Sequence, residues 1–142
     1  MMTQEMSSKL KRSVVNHEDR RNFPYIDTAN KITIGIGYNL SDRGMPDWWI
    51  DEQYESDAEY FYNQLSTFPW FSHLNMDRQI VLIDMSFMGI KRLLTFNKMI
   101  EYLSTEDYDN AAKEMLDSDW AKEVGQRAID LSQGMLTGVY NV

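Results

Sequence analysis

With 142 residues, 43% apolar and 25% charged, the chain has the make-up of one ordinary globular domain, long enough to bury a core without covalent staples. It contains no cysteine, which excludes disulfides, thiolate metal sites and a cysteine nucleophile, and its two histidines, His17 and His73, argue against a histidine-rich metal centre. The net charge of −8 is uneven, with seven basic and five acidic side chains in residues 1–45 against seven and seventeen in residues 46–142, so the large basic face of a nucleic-acid binder is missing.

Residues 2–19 place Met2, Met6, Leu10, Val14 and His17 at helical spacing, and this helix is expected to end near Glu18 to Arg21, before Pro24 forces extended backbone on Phe23. Residues 24–40 read as short strands. Ile32, Ile34 and Ile36 alternate with Thr33, Gly35 and Gly37, and Thr28-Ala29-Asn30-Lys31 is the expected turn. The two glycines remove side chains where a backbone or a ligand must approach closely. Asn39 to Trp49 reads as irregular, broken by Gly44 and Pro46. A helix follows with Tyr54, Ala58, Phe61 and Leu65 on one face, ending before Pro69. From Asn75 to Gly89 the chain is apolar nearly all round, which predicts a central buried helix. Three more helices are expected at about 95–103, 107–117 and 121–136, the last stopping at Gly138. Of the four tryptophans, Trp70 and Trp120 read as core, while the adjacent Trp48 and Trp49 read either as core or as a patch that meets sugar rings or a partner. Helices dominate and the strands are confined to one early segment, so the fold class is α+β.

No apolar run of signal-peptide length occurs up to Arg12, and none approaches the roughly 18 residues of a membrane helix. The expectation is a protein made in the cytoplasm without a signal peptide and without stable membrane insertion.

Glu18, Asp27 and Thr33 form the one chemically suggestive constellation. The two acids are nine positions apart and the hydroxyl follows six later. An inverting glycosidase needs such a carboxylate pair: one acid protonates the leaving oxygen, and the other activates water on the opposite face of the sugar. Each residue also has an ordinary reading. Glu18 is a helix-end carboxylate, Asp27 a turn cap and Thr33 a β-branched strand residue.

The Glu, Asp and Thr at this spacing, inside Thr33-Ile34-Gly35-Ile36-Gly37, resemble the phage-type lysozymes, the endolysins grouped as glycoside hydrolase family 24. The resemblance continues through Pro69-Trp70-Phe71, Arg78 to Phe87, Leu94 to Met99, Ala111 to Ala121, Val124 to Ala128 and Thr137-Gly138. It implies a single lysozyme-like domain over residues 1–142. A β-containing lobe would cover about 15–50. A helical lobe would be built from 1–14 and about 68–142, and a helix at about 52–66 would join the two. It also implies cleavage of the bond between N-acetylmuramic acid and N-acetylglucosamine in bacterial peptidoglycan, with Glu18 as general acid, Asp27 as base or electrostatic partner of the water, and Thr33 holding that water. Tyr38, Asn39 and Phe87 would line the cleft, and Arg127 falls where the family places an arginine that reaches the glutamate. No metal or cofactor is implied. The protein would be a monomer, made in a host bacterium's cytoplasm and acting in the periplasm or cell wall, where it would arrive through a separate pore-forming protein.

The chain departs from the family in four respects. Asp19 stands where a glycine is frequent, Tyr38 where histidine or another polar residue is frequent, and the Phe87-Met88-Gly89-Ile90 segment is one residue short. Its acidic charge also contrasts with the basic charge of many relatives. These features keep a second reading open, that of a non-catalytic wall-binding or interaction module on the same scaffold.

Overall fold

A computed structural model describes all residues, 1–142. Helices hold 66% of them and the strands form one small antiparallel sheet, so the α+β expectation holds at that level. The chain divides into two compact units, Met1–Gln53 and Tyr54–Val142. The first helix therefore groups with the sheet, whereas the resemblance assigns residues 1–14 to the helical lobe.

In the first unit, α1 spans Gln4–Glu18. Thr3 caps it, its hydroxyl accepting from the Met6 N–H at 3.1 Å. The expected apolar stripe does not become core: Met2 precedes the helix, and α1 has no buried residue. Three strands follow, β1 (Arg21–Ile26), β2 (Ile32–Gly35) and β3 (Tyr38–Asn39), in the order β1-β2-β3. β1 begins three residues earlier than expected and holds Pro24 within it. It is an edge strand, and the pairing is irregular between Arg21 and Tyr25, which is where a residue without an N–H is tolerated.

The segment expected to be irregular, Asn39–Trp49, instead holds a one-turn helix α2 (Leu40–Arg43), capped by the Asn39 side chain, and the start of α3 (Asp47–Leu65). Pro46 accounts for the early start of α3. It lies just before the helix, and its carbonyl accepts the first N–H groups, those of Trp49 and Ile50.

The second unit carries the hydrophobic core. Its helices are the C-terminal part of α3, then α4 (Pro69–Ser72), α5 (Met76–Met85), α6 (Ile90–Leu93), α7 (Asn97–Ser104), α8 (Tyr108–Leu116), α9 (Asp119–Val124) and α10 (Gln126–Thr137). The strongest packing joins α10 to α8 and α5, and α7 to α8. Leu65, Phe71, Val81, Leu82, Leu93 and Leu131 are fully buried, together with four methionines, Met85, Met99, Met115 and Met135.

Two helix expectations need correction. α5 is not buried all round: Val81, Leu82 and Met85 face the core, while Met76 and Ile80 are exposed. It ends at Met85 and passes into a 3-10 turn at Ser86–Met88, before Gly89 at φ 112° breaks the chain direction. The expected 121–136 helix is two helices divided at Gly125, which adopts φ 58° and ψ −117°, a combination closed to other residues. Side-chain caps begin the core helices: Asn75 on α5, Asp107 on α8 and Ser118 on α9. Arg78 finishes α10, its Nε donating to the Met135 carbonyl at 2.8 Å and its Nη2 to that of Leu136 at 3.1 Å. The same guanidinium lies 3.6 Å from the Tyr108 ring centre.

Candidate active site

Local structure sets Asp27 beside Thr33 and Glu18 beside Gly37. Glu18 is the last residue of α1. The chain leaves that helix through Asp19, at φ 63° and ψ 173°, a region populated almost only by glycine. This chain holds an aspartate there under strain. Arg21 Nη2 lies 3.5 Å from the Asp19 carboxylate.

The Glu18 side chain folds onto Gly37, in the turn between β2 and β3. A methyl group placed on Gly37 would lie 3.0 Å from Cγ and Cδ of Glu18 and 3.1 Å from its Oε2. Gly37 therefore provides the close approach expected of it. Gly35, its neighbour at nearly the same positive φ, meets nothing within 4 Å of such a methyl group and serves the turn conformation alone.

Asp27 begins the hairpin turn. Its Oδ1 accepts from the N–H groups of Ala29 at 2.9 Å and Lys31 at 2.8 Å, while its own N–H donates to the Lys31 carbonyl at 2.9 Å. Asn30, at φ 61°, completes the turn. These bonds fix the carboxylate and leave Oδ2 turned to Thr33, whose hydroxyl lies 3.4 Å from it and 3.2 Å from the Lys31 carbonyl. Thr33 is 3% exposed, on the central strand between Tyr25 and Asn39. A hydroxyl so placed aligns Asp27 directly.

Two residues not singled out from the sequence brace this corner. Ser41 Oγ accepts from the Ile32 N–H at 2.8 Å, and Lys31 pairs with Asp42 at 2.9 Å. The Lys31 ammonium holds the Asp42 carboxyl below the usual carboxylate range, and Asp42 in turn raises Lys31. They lie nine and eleven positions beyond their partners, a spacing with no periodic signal.

Tyr38 and Asn39 stand on β3. The Tyr38 hydroxyl donates to the Gly44 carbonyl, the Arg43 guanidinium lies 4.4 Å from its ring centre, and Trp49 meets it edge-on at 5.5 Å. Asn39 spends its amide on Asp42, accepting from the N–H and donating to Oδ2.

In the second unit, Phe87 is 42% exposed, stacked on Tyr54 and edge-on to Phe61. It borders a groove of about 640 Å³ whose walls include Tyr62, Ile83 and the acidic Glu55, Glu59 and Asp84. Arg127, on α10, is engaged with α5: its Nε donates to Asp84 Oδ1 at 2.8 Å, and its Nη2 reaches the same oxygen at 2.6 Å and the Asp84 carbonyl at 3.0 Å. The signal for this pair is a lone carboxylate in an otherwise apolar stretch of α5. The buried tryptophan is Trp120; Trp49 and Trp70 are half-buried and Trp48 is exposed.

No group of three or more acidic or histidine side chains is arranged to hold a metal ion. No helix is long and apolar enough to cross a membrane. No protein-family model matches the chain, and no curated protein matches it.

Proposed function

We propose that the chain is a muramidase with a lysozyme-like fold, a relative of the phage endolysins that hydrolyses the β-1,4 bond between N-acetylmuramic acid and N-acetylglucosamine. The observation that carries this reading is the seat of Glu18 on Gly37, beside a sheet that also fixes Asp27 and Thr33. A side chain at position 37 would crowd Glu18, and glycine leaves room for it.

In this mechanism Glu18 gives its proton to the glycosidic oxygen as the bond to the anomeric carbon breaks. A water adds to that carbon from the opposite face and passes a proton to Asp27, so the product has inverted configuration. Two backbone N–H groups and Thr33 orient the Asp27 carboxylate for this step. Thr33 is a positioning residue. Tyr38 and Asn39, on the same sheet as Thr33, are assigned to substrate binding. The chemistry needs no metal. The protein acts on the wall from the periplasmic side, which it reaches through a separate pore.

The test is mass analysis of purified peptidoglycan after digestion between pH 4 and pH 8, with Glu18→Gln as control. Muropeptides with muramic acid reducing ends, lost in the variant, support the reading. No release by the wild-type protein at any pH refutes it. One observation favours the non-catalytic module: Asp27 Oδ1 and the Asn39 amide are spent within their own turn and cap. That reading requires wall binding that Glu18→Gln leaves unchanged, and measured turnover excludes it.

A further inference from the structure

Helix α3 carries six acidic side chains and no basic one. Two of them, Glu55 and Glu59, stand one turn apart on the wall of the groove of about 640 Å³ that Phe87 borders, and neither has an ion-pair partner. Like charges at this spacing disfavour each other, so the helix gains when a cation comes between them. The rest of the groove is largely apolar. Tyr54, Tyr62, Ile80 and Phe87 line it, and each is at least 39% exposed. The third acid there, Asp84, is already engaged by Arg127. The groove therefore suits a segment with an apolar stripe about two helical turns long and positive charge beside that stripe.

The sequence contains such a segment. α1 has no buried residue, and Met6, Leu10 and Val14 follow at four-residue steps along one of its faces. They cover the same rise, about 12 Å, as Tyr54 to Tyr62 on α3. Lys9 and Lys11 stand about 100° to either side of Leu10, and neither has a carboxylate partner. We propose that α1 of a second copy lies in this groove, so that the protein self-associates where the family resemblance implies a monomer. Met6 and Leu10 then meet the aromatic wall, and Lys9 and Lys11 stand beside Glu55 and Glu59. Charge selects this occupant. Residues 1–45 carry seven basic against five acidic side chains, a net +2, and residues 46–142 carry seven against seventeen, a net −10. Groove against groove is therefore repelled, while the amino-terminal helix of another copy is attracted. Each copy brings one α1 and one groove, so the contact can be returned, and two equal contacts close a pair. This inference is independent of the muramidase reading.

Sedimentation velocity of the full chain over about 1–100 µM tests it, a range in which association shows as a concentration dependence. The samples are wild type, the double variant Glu55→Lys with Glu59→Lys, the double variant Lys9→Glu with Lys11→Glu, and an equimolar mixture of the two variants, each confirmed as folded by far-ultraviolet circular dichroism. The expected result is a wild-type association that weakens as salt is added. Each double variant should associate about tenfold or more weakly, and the mixture should recover the wild-type affinity, because every helix then meets a groove of opposite charge. A wild-type protein that stays monomeric throughout overturns the proposal. So does association that either charge reversal leaves intact, and so does a mixture that stays monomeric. A monomeric wild type whose unfolding midpoint falls in each double variant, and returns when all four substitutions share one chain, also overturns it by seating α1 in the groove of its own chain.

Discussion

The contact between Glu18 and Gly37 can be isolated by a pair of substitutions. Gly37 and Gly35 adopt φ of 68° and 67°, so an alanine at either bears the same left-handed backbone strain, about 1–2 kcal/mol. At roughly 3–5 °C per kcal/mol for a chain of this length, both variants should melt several degrees below wild type. They differ in what the new methyl meets. At Gly35 it meets nothing within 4 Å, whereas at Gly37 it lies 3.0 Å from two carbons of Glu18. Carbon atoms in ordinary contact sit about 3.5–4.0 Å apart, so the Glu18 side chain must give by a few tenths of an ångström. A displacement of about 1 Å in a reacting group costs on the order of 10²-fold in rate. On the proposed muramidase reading, a shift of a few tenths of an ångström should make Gly37→Ala release muropeptides about tenfold more slowly than Gly35→Ala at matched stability. The assay is the initial rate of release from purified peptidoglycan, normalised to the folded fraction at the assay temperature. If the two variants fall within about threefold of each other, the seat of Glu18 on Gly37 has no catalytic meaning.

Three further outcomes are expected. Asp19→Gly relieves the backbone strain after Glu18 and should stabilise the protein by about 1 kcal/mol in urea unfolding; a loss of stability would show that the Asp19 side chain contributes more than its backbone costs. Arg78→Met leaves two carbonyls at the end of α10 without their donor and should destabilise by about 2 kcal/mol, and Arg78→Lys should recover little of it because one ammonium cannot serve both carbonyls and the Tyr108 ring; full recovery by lysine would refute that geometry. Lys31 lowers Asp42, Asn110 lowers Asp107 and Arg92 lowers Glu123, so these carboxylates favour the folded state above their unfolded values near pH 4 and lose that contribution as pH falls through their depressed folded values; the melting temperature should therefore drop between pH 5 and pH 3, and a flat profile would refute it.

Local physics made much of the fold legible. The alternation from Ile32, the turn chemistry after Asp27 and the helices expected at about 95–103 and 107–117 correspond to elements that form within about two residues of the reading. The misreadings share a cause: each depends on what a residue touches far along the chain. The run in α5 is apolar on most sides, but only one side meets core, so Met76 and Ile80 stay exposed. Periodicity carried the last helix across Gly125 because a single glycine does not interrupt a pattern, although its φ of 58° interrupts the backbone. In the candidate site, spacing brought out Glu18, Asp27 and Thr33. It gave no indication that Arg127 would be engaged by Asp84, or that Asp42 would brace Lys31, since ion pairs leave no periodic trace.

The core has one consequence outside catalysis. Four of its fully enclosed side chains, Met85, Met99, Met115 and Met135, are thioethers on unbranched stems, while Met1, Met45 and Met76 lie at the surface. Peroxide converts an accessible methionine at once but reaches an enclosed one only when the structure opens. The protein therefore carries an internal clock for its own breathing. The surface methionines gain oxygen first and set the reference, and the delay before the inner four follow measures how often the helical core exposes itself to solvent.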